Sequence, residues 1–368
     1  MNVAVVVEET SDVEPEPLYA QLLAKWLGRL GHKAWLFTSI FHDGEAAVDR
    51  RTVELSEGGY VVLDLEAIPL VRVLSAKTSH GRISLKALFG ALRSVDEAHG
   101  LDAIVAVGSG WNGPEEAARW IAWKKEAVSI GEGAKVPRFC LMPFYVRGAE
   151  GVLEYVAKRM WDATALPSVV KAADCVFVQH AQEAEELRRL SPKAIVEVGG
   201  GLDDDAAAAV DELRRDKLYV TLTASALEAV DVSALVEAAE RAGLKVASLA
   251  DPKRRRIPPE VSAGGPTAEL AASSLIFVDS LEVASPLALL FMYARAVPIS
   301  ISPRGSRWLI RDGVDGIGAV HPRQLPTVLA DLAKRRDALE KMAKNARERA
   351  AGFLMSRAAE RVAEALQR

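Results

Sequence analysis

Residues Ser274–Ser302 read SLIFVDSLEVASPLALLFMYARAVPISIS, and this stretch decides the fold. SLIFVDS and VPISIS read as short strands. Between them Ser285 is a good helix cap and Pro286 suits a first helical position, which predicts a helix over Pro286–Ala296. Strand, helix and strand in immediate succession form a crossover unit, and such units build an α/β sheet.

The same rhythm extends in both directions. Downstream, Leu325–Arg349 and Ser356–Gln367 read as long helices rich in Ala, Glu and Arg. Upstream, LYVTLTA, the helix Val232–Ala242 and LKVASLA make another unit, which begins after the loop GGGLDDD. Before that loop the chain opens with VAVVV, then a helix Pro17–Arg29 with Leu18, Leu22 and Trp26 on one face and Gly31 as its stop, then KAWLFTS. AIVAVGS, VPRFCLM and CVFVQHA are further strands, with helices Glu115–Lys125 and Ala181–Leu190 beside them. Two Rossmann-like α/β domains in tandem follow. The first covers 1–198, with 350–368 packing back on it, and the second covers 199–349. The site is expected in a cleft that the two domains face, at the carboxyl ends of the strands.

The chain has 368 residues, half of them apolar, and a formal net charge of −4. A chain of this size buries enough surface to need neither disulfide nor metal staple. The charge is too near neutral for a general polyanion binder, and Lys253–Arg256, the one basic cluster, reads as a solvated loop, so nucleic acid is not favoured as a partner. Cys140 and Cys175 lie in apolar surroundings and read as buried thiols of a reducing compartment. The opening has no basic flank of a secretory signal, and the longest apolar stretch, 286–301, carries Arg295 and is short of a membrane span. A cytoplasmic protein is expected. Amides are scarce (Asn2, Asn112, Asn345 and five Gln), the depletion seen in thermophile proteins.

The second domain resembles the donor-binding half of the retaining GT-B glycosyltransferases of family 4. The resemblance rests on VPISISPRGSRWLIRDGVDGIGAV, Val297–Val320, against a family pattern of roughly G-x-P-V-I-x-S-x-x-G-G-x-x-E-x-I-x-D-G-x-x-G-x-L-V. SLEVASPLALLFMYARAVP resembles the family's donor loop and helix, Ala173–Asp203 the end of its acceptor half, LGRLGHKAWLFTS its opening, and AGFLMSRAAERVAEAL its terminal helix, which crosses back to the first domain. The resemblance implies a GT-B fold and transfer of a hexose, with retention, from a nucleotide sugar to a small-molecule or glycan acceptor. No metal or other cofactor is required, because a helix terminus and Arg can supply the positive field.

Several family positions differ. Aligned on Pro298, the two donor glutamates fall on Val283 and Phe291, with Glu282 one residue early. Trp308 replaces the Glu after the Gly-Gly turn, Pro143 and Phe144 stand where a His is expected, and Thr223–Ala239 contains no basic residue. Because a nucleotide diphosphate needs charge-assisted partners, the alternative is a non-catalytic glycosyltransferase-like binding or scaffold protein that has lost its donor clamp.

The candidate residues follow from strand ends. For donor phosphate they are Ser285 and Leu287, through N–H groups left free at the helix start, and Arg304, Gly305, Ser306 and Arg307 in the next turn. Glu282 is the candidate that orients the sugar, and His180, after CVFVQ, is the candidate that contacts a sugar hydroxyl or accepts a proton. Thr10 after the first strand, and Trp111 and Asn112 in the Gly-rich turn 108–113, are candidates for the acceptor. The aromatic segment Met142–Pro167 reads mainly as core, with a lipid-facing or partner surface, and hence peripheral membrane contact, as the alternative.

Overall fold

The computed structural model describes residues 1–9, 15–39, 60–63, 85–108, 113–131, 135–144, 152–213, 218–249, 257–263, 268–280, 285–302 and 309–368. The chain divides into two compact units, Met1–Gly199 with Ser356–Arg368, and Gly200–Met355. The strands are β1 Asn2–Glu9, β2 Lys33–Ser39, β3 Tyr60–Leu63, β4 Ala103–Val107, β5 Arg138–Met142, β6 Cys175–Val178, β7 Ile195–Glu197, β8 Tyr219–Leu222, β9 Lys245–Ser248, β10 Ser262–Ala263, β11 Ser274–Asp279 and β12 Val297–Ser300. The helices are α1 Pro15–Arg29, α2 Leu85–His99, α3 Gly113–Ser129, α4 Val152–Ala172, α5 Ala181–Arg188, α6 Asp204–Glu212, α7 Ala224–Ala229, α8 Val232–Arg241, α9 Ala268–Ser273, α10 Pro286–Tyr293, α11 Leu325–Lys334, α12 Arg336–Ala350 and α13 Met355–Gln367.

The first unit is built on a parallel sheet of order β3-β2-β1-β4-β5-β6-β7. Val3 to Val7 are all buried, so both faces of β1 are covered and its unbroken apolar run is explained. On one face Ala4, Val6, Trp35, Phe37, Trp120, Phe139 and Trp161 share a continuous core. The stop of α1 is a Schellman turn. His32 N–H bonds Leu27 O, Gly31 N–H bonds Gly28 O, and Gly31 takes φ +82°, a conformation glycine adopts without strain. The terminal helix α13 belongs to this unit from Ser356 onward and buries Ala358, Ala359 and Val362.

The second unit has a five-stranded parallel sheet of order β10-β9-β8-β11-β12. Its entering and leaving segments run side by side, with Leu202 N–H donating to Phe353 O and Met355 N–H to Leu202 O. The stretch Val297–Val320 closes on itself through a buried acid. Asp315, fully buried, accepts from the backbone N–H and the Nε of Arg311, the latter at 2.7 Å. Gly316 passes so close to Pro298 that a Cβ there would lie 2.8 Å from the proline carbonyl oxygen. The second glycine of the D-G-x-x-G pattern is therefore a packing requirement.

Two helix expectations need correction. The helix predicted as Leu325–Arg349 is two helices, α11 and α12, broken at Arg335 (φ −111°, ψ 57°). No Pro or Gly marks the break. It arises because α11 packs on α8 while α12 packs on α10, and a straight helix could not serve both partners. The helix predicted to reach Ala296 ends at Tyr293, where Ala296 N–H bonds Phe291 O, Arg295 N–H bonds Met292 O, and Arg295 itself takes φ +63°. The glycine's usual place in a Schellman turn is here filled by an arginine.

Candidate functional site

In an open parallel sheet the strand order reverses at one point, and ligands favour the carboxyl ends of the strands there. The first unit reverses between β1 and β4, the second between β8 and β11.

At the first reversal Gly108 follows β4 with φ +115°, and the carboxylate Oε2 of Glu16, from the first turn of α1, lies 3.2 Å from where a Cβ would be. A side chain at 108 would be strained and would press on that carboxylate. The acceptor candidates Thr10, Trp111 and Asn112 lie outside the described residues. Beyond β5, Phe144 occupies the position where the resemblance expects His. It is fully buried, takes φ +45°, and meets the Tyr19 ring edge-on at 5.1 Å. Phe144 is thus a core aromatic held in an unusual backbone conformation. The Tyr19 hydroxyl donates to Gly199 O at 3.3 Å, and burial, reinforced by the Glu183 carboxylate, pushes its pKa far up.

His180 follows β6 and caps α5. Its Nδ1 accepts the Glu183 N–H at 3.2 Å, while the Glu183 carboxylate accepts the Gln179 N–H at 2.7 Å, a reciprocal cap at the helix start. Burial lowers the imidazole pKa to about 4. With Nδ1 used as an acceptor, the neutral ring carries its proton on Nε2. Near neutral pH His180 is therefore a neutral ring that caps the helix start.

At the second reversal the residues that close the strands form a hydrogen-bonded chain. Asp279 ends β11 and is nearly buried; its Oδ1 accepts from the Thr223 hydroxyl at 3.0 Å and from Ser280 N–H at 2.7 Å. Thr223, just past β8, caps α7 by accepting Ala226 N–H at 3.4 Å. Across the sheet, the buried Ser300 hydroxyl lies 2.8 Å from Ser280 O and 3.0 Å from Ser302 O. None of Thr223, Asp279 and Ser300 was singled out in the sequence. The signal available was modest: each is a polar residue at the end of an apolar run, LYVTLT, LIFVD and VPIS.

The helix start beside this rim is closed. Ser285 and Leu287 are both buried, and the Leu287 N–H donates to Ser285 Oγ at 3.2 Å. The expectation of a free Leu287 N–H is corrected: the serine that caps the helix uses that donor. Phe291, aligned with the family's second glutamate, is fully buried and stacks on Phe277 with ring centroids 4.4 Å apart. Glu282, Arg304, Gly305, Ser306 and Arg307 lie outside the described residues. Among the described residues no three His, Cys, Asp or Glu side chains form a group that could hold a metal ion. Nor is any described helix long and apolar enough to cross a membrane. Cys140 and Cys175 are buried, unlinked neighbours in register on β5 and β6.

No protein-family model matches the chain, and no curated protein sequence matches it. Solved structures do. A sucrose-phosphate synthase from Thermosynechococcus elongatus is 16% identical, with a TM-score of 0.68, over 100% of this chain and 98% of its own. HepE from Anabaena, solved with UDP and glucose, is 13% identical with a TM-score of 0.61, covering 100% of this chain and 99% of its own. The pneumococcal O-GlcNAc transferase GtfA, solved with UDP and GlcNAc, is 10% identical with a TM-score of 0.63, covering 100% and 98%. Identities this low speak to architecture, and the architecture agrees from end to end: this chain has the GT-B glycosyltransferase fold.

Proposed function

We propose that the protein is a hexosyltransferase that takes its sugar from a nucleotide donor, with UDP the first nucleotide to test, and passes it to a small-molecule or glycan acceptor. The observation that carries this reading is the full-length likeness to glycosyltransferase structures that hold UDP together with a sugar. A retaining, family-4-like reaction is the finer form of the proposal, supported by the pattern in Val297–Val320.

In this reading the donor lies at the carboxyl rim of the second unit. With Leu287 N–H committed to Ser285, the diphosphate falls to Arg304 and Arg307, and Gly305 and Ser306 let the backbone approach. Glu282 orients the sugar. On the acceptor side Trp111 gives a stacking face, Thr10 and Asn112 give hydrogen bonds, and His180 contacts a sugar hydroxyl. Departure of the nucleotide is helped by positive charge on the diphosphate as the glycosidic bond breaks.

The test is thermal unfolding with UDP-, GDP- and ADP-sugars. A donor present at a hundred times its dissociation constant stabilises by about 2.7 kcal/mol. Release of free nucleotide should follow when an acceptor is supplied. Arg304→Ala should weaken the bound donor about tenfold, the worth of one charge-assisted contact. Absence of any shift with all three donors would return the non-catalytic reading.

A further inference from the structure

We infer that Asp279 is a positioning residue of the donor rim, tying the exits of three strands into one rigid edge; the inference rests on the proposed donor site for its functional consequence. Its side chain and its backbone act in different directions. Oδ1 reaches sideways to the Thr223 hydroxyl of the β8 exit at 3.0 Å and forward to Ser280 N–H at 2.7 Å. Its own carbonyl accepts Ile301 N–H from the β12 exit at 2.9 Å. Ser280 O continues the chain to Ser300 Oγ at 2.8 Å, and Ser300 Oγ receives Ser302 N–H at 3.3 Å. Thr223 passes the constraint into α7 through Ala226 N–H.

The arrangement accounts for a carboxylate where a phosphate donor would otherwise be repelled. Two donors of the rim, the Thr223 hydroxyl and Ser280 N–H, converge on the carboxylate of an acid that is only 9% exposed, so its charge is directed inward to the scaffold. To bind a diphosphate the rim needs its backbone donors and loop side chains held to within fractions of an ångström. An acid at the strand reversal, bonded to the strand on either side, supplies that rigidity.

The experiment compares Asp279→Ala, Asp279→Asn and Thr223→Val with the wild-type chain in two measurements. The first is hydrogen exchange without ligand. Asp279→Ala should speed exchange at least about tenfold in peptides containing Ala226, Ser280 and Ser302, and leave β1, β4 and β5 unchanged. Asp279→Asn, which keeps Oδ1 as an acceptor, should stay near wild type, and Thr223→Val should loosen the Ala226 peptide alone. The second is UDP-sugar kinetics: Asp279→Ala should raise KM for the donor about tenfold with kcat changed less than about threefold, and Asp279→Asn should restore KM. Unchanged exchange at the rim in Asp279→Ala and Thr223→Val overturns the inference. So does an Asp279→Asn variant as loose as Asp279→Ala. If the wild-type chain binds no donor, the functional reading falls, and the exchange data still decide whether Asp279 holds the rim.

Discussion

His180 shows how much one side chain can be constrained by its neighbours. Its pKa of about 4 lies below the ordinary value near 6.5 because burial penalises the imidazolium. The unfolded chain therefore binds a proton more readily between those two pH values. Stability should rise as pH increases from about 4 to 6.5, and the contribution, on the order of 3 kcal/mol, should be complete above 6.5 and lost as pH falls through 4. His180→Asn keeps an N-cap acceptor without the titration, and urea unfolding across that pH range should show a flatter profile for it. Gly316 is constrained by space rather than charge. Gly316→Ala would set a Cβ 2.7 Å from Pro298 Cγ and 2.8 Å from Pro298 O. Neither backbone can yield cheaply, so a loss of about 1–3 kcal/mol is expected in denaturant unfolding.

At the scale of elements, α10 is the clearest case of a helix whose role was legible in part. Its start was readable from Ser285-Pro286, and the cap bond is present. Ser285→Ala should cost about 0.5–2 kcal/mol by thermal or chemical unfolding. Its interior was harder to read. Every residue from Pro286 to Met292 is buried, so the helix is apolar all round and no amphipathic stripe marks a ligand-facing side. Phe291 belongs to the core, and Phe291→Ala should cost about 3–5 kcal/mol. A change confined to donor affinity, with stability intact, would contradict that placement. The split between α11 and α12 was not legible at all, because the sequence KRRD across it favours continuation and only the two packing partners demand a bend.

The whole molecule is divided unequally from its sequence order. The first unit recovers its last helix from the far end of the chain, after the second unit is complete. Within the first unit the Tyr19 hydroxyl bonds Gly199 O at 3.3 Å and Arg361 Nη1 reaches Val198 O at 3.4 Å, so α1 and α13 both fasten the residues at which that unit ends. Deleting residues 356–368 should lower the unfolding temperature of the first unit by several degrees and leave the second, Gly200–Met355, almost unaffected. Calorimetry would then resolve two transitions. A single transition shifted as a whole would show that the units do not unfold independently.

The alternation of strands and helices and most strand positions were set by the sequence alone. Strands covered on both faces must be continuously apolar, and short apolar runs between Gly, Pro and capping residues leave little choice. The strand-end polar chain was decided only by tertiary structure. Thr223 and Asp279 stand 56 residues apart and meet because β8 pairs with β11 in the register Leu222 to Val278, which sets the next residue of each strand side by side. Local propensity carries no record of which strands become neighbours or in what register. That choice is made by the burial of whole faces, and the groups gathered at the strand ends are its consequence.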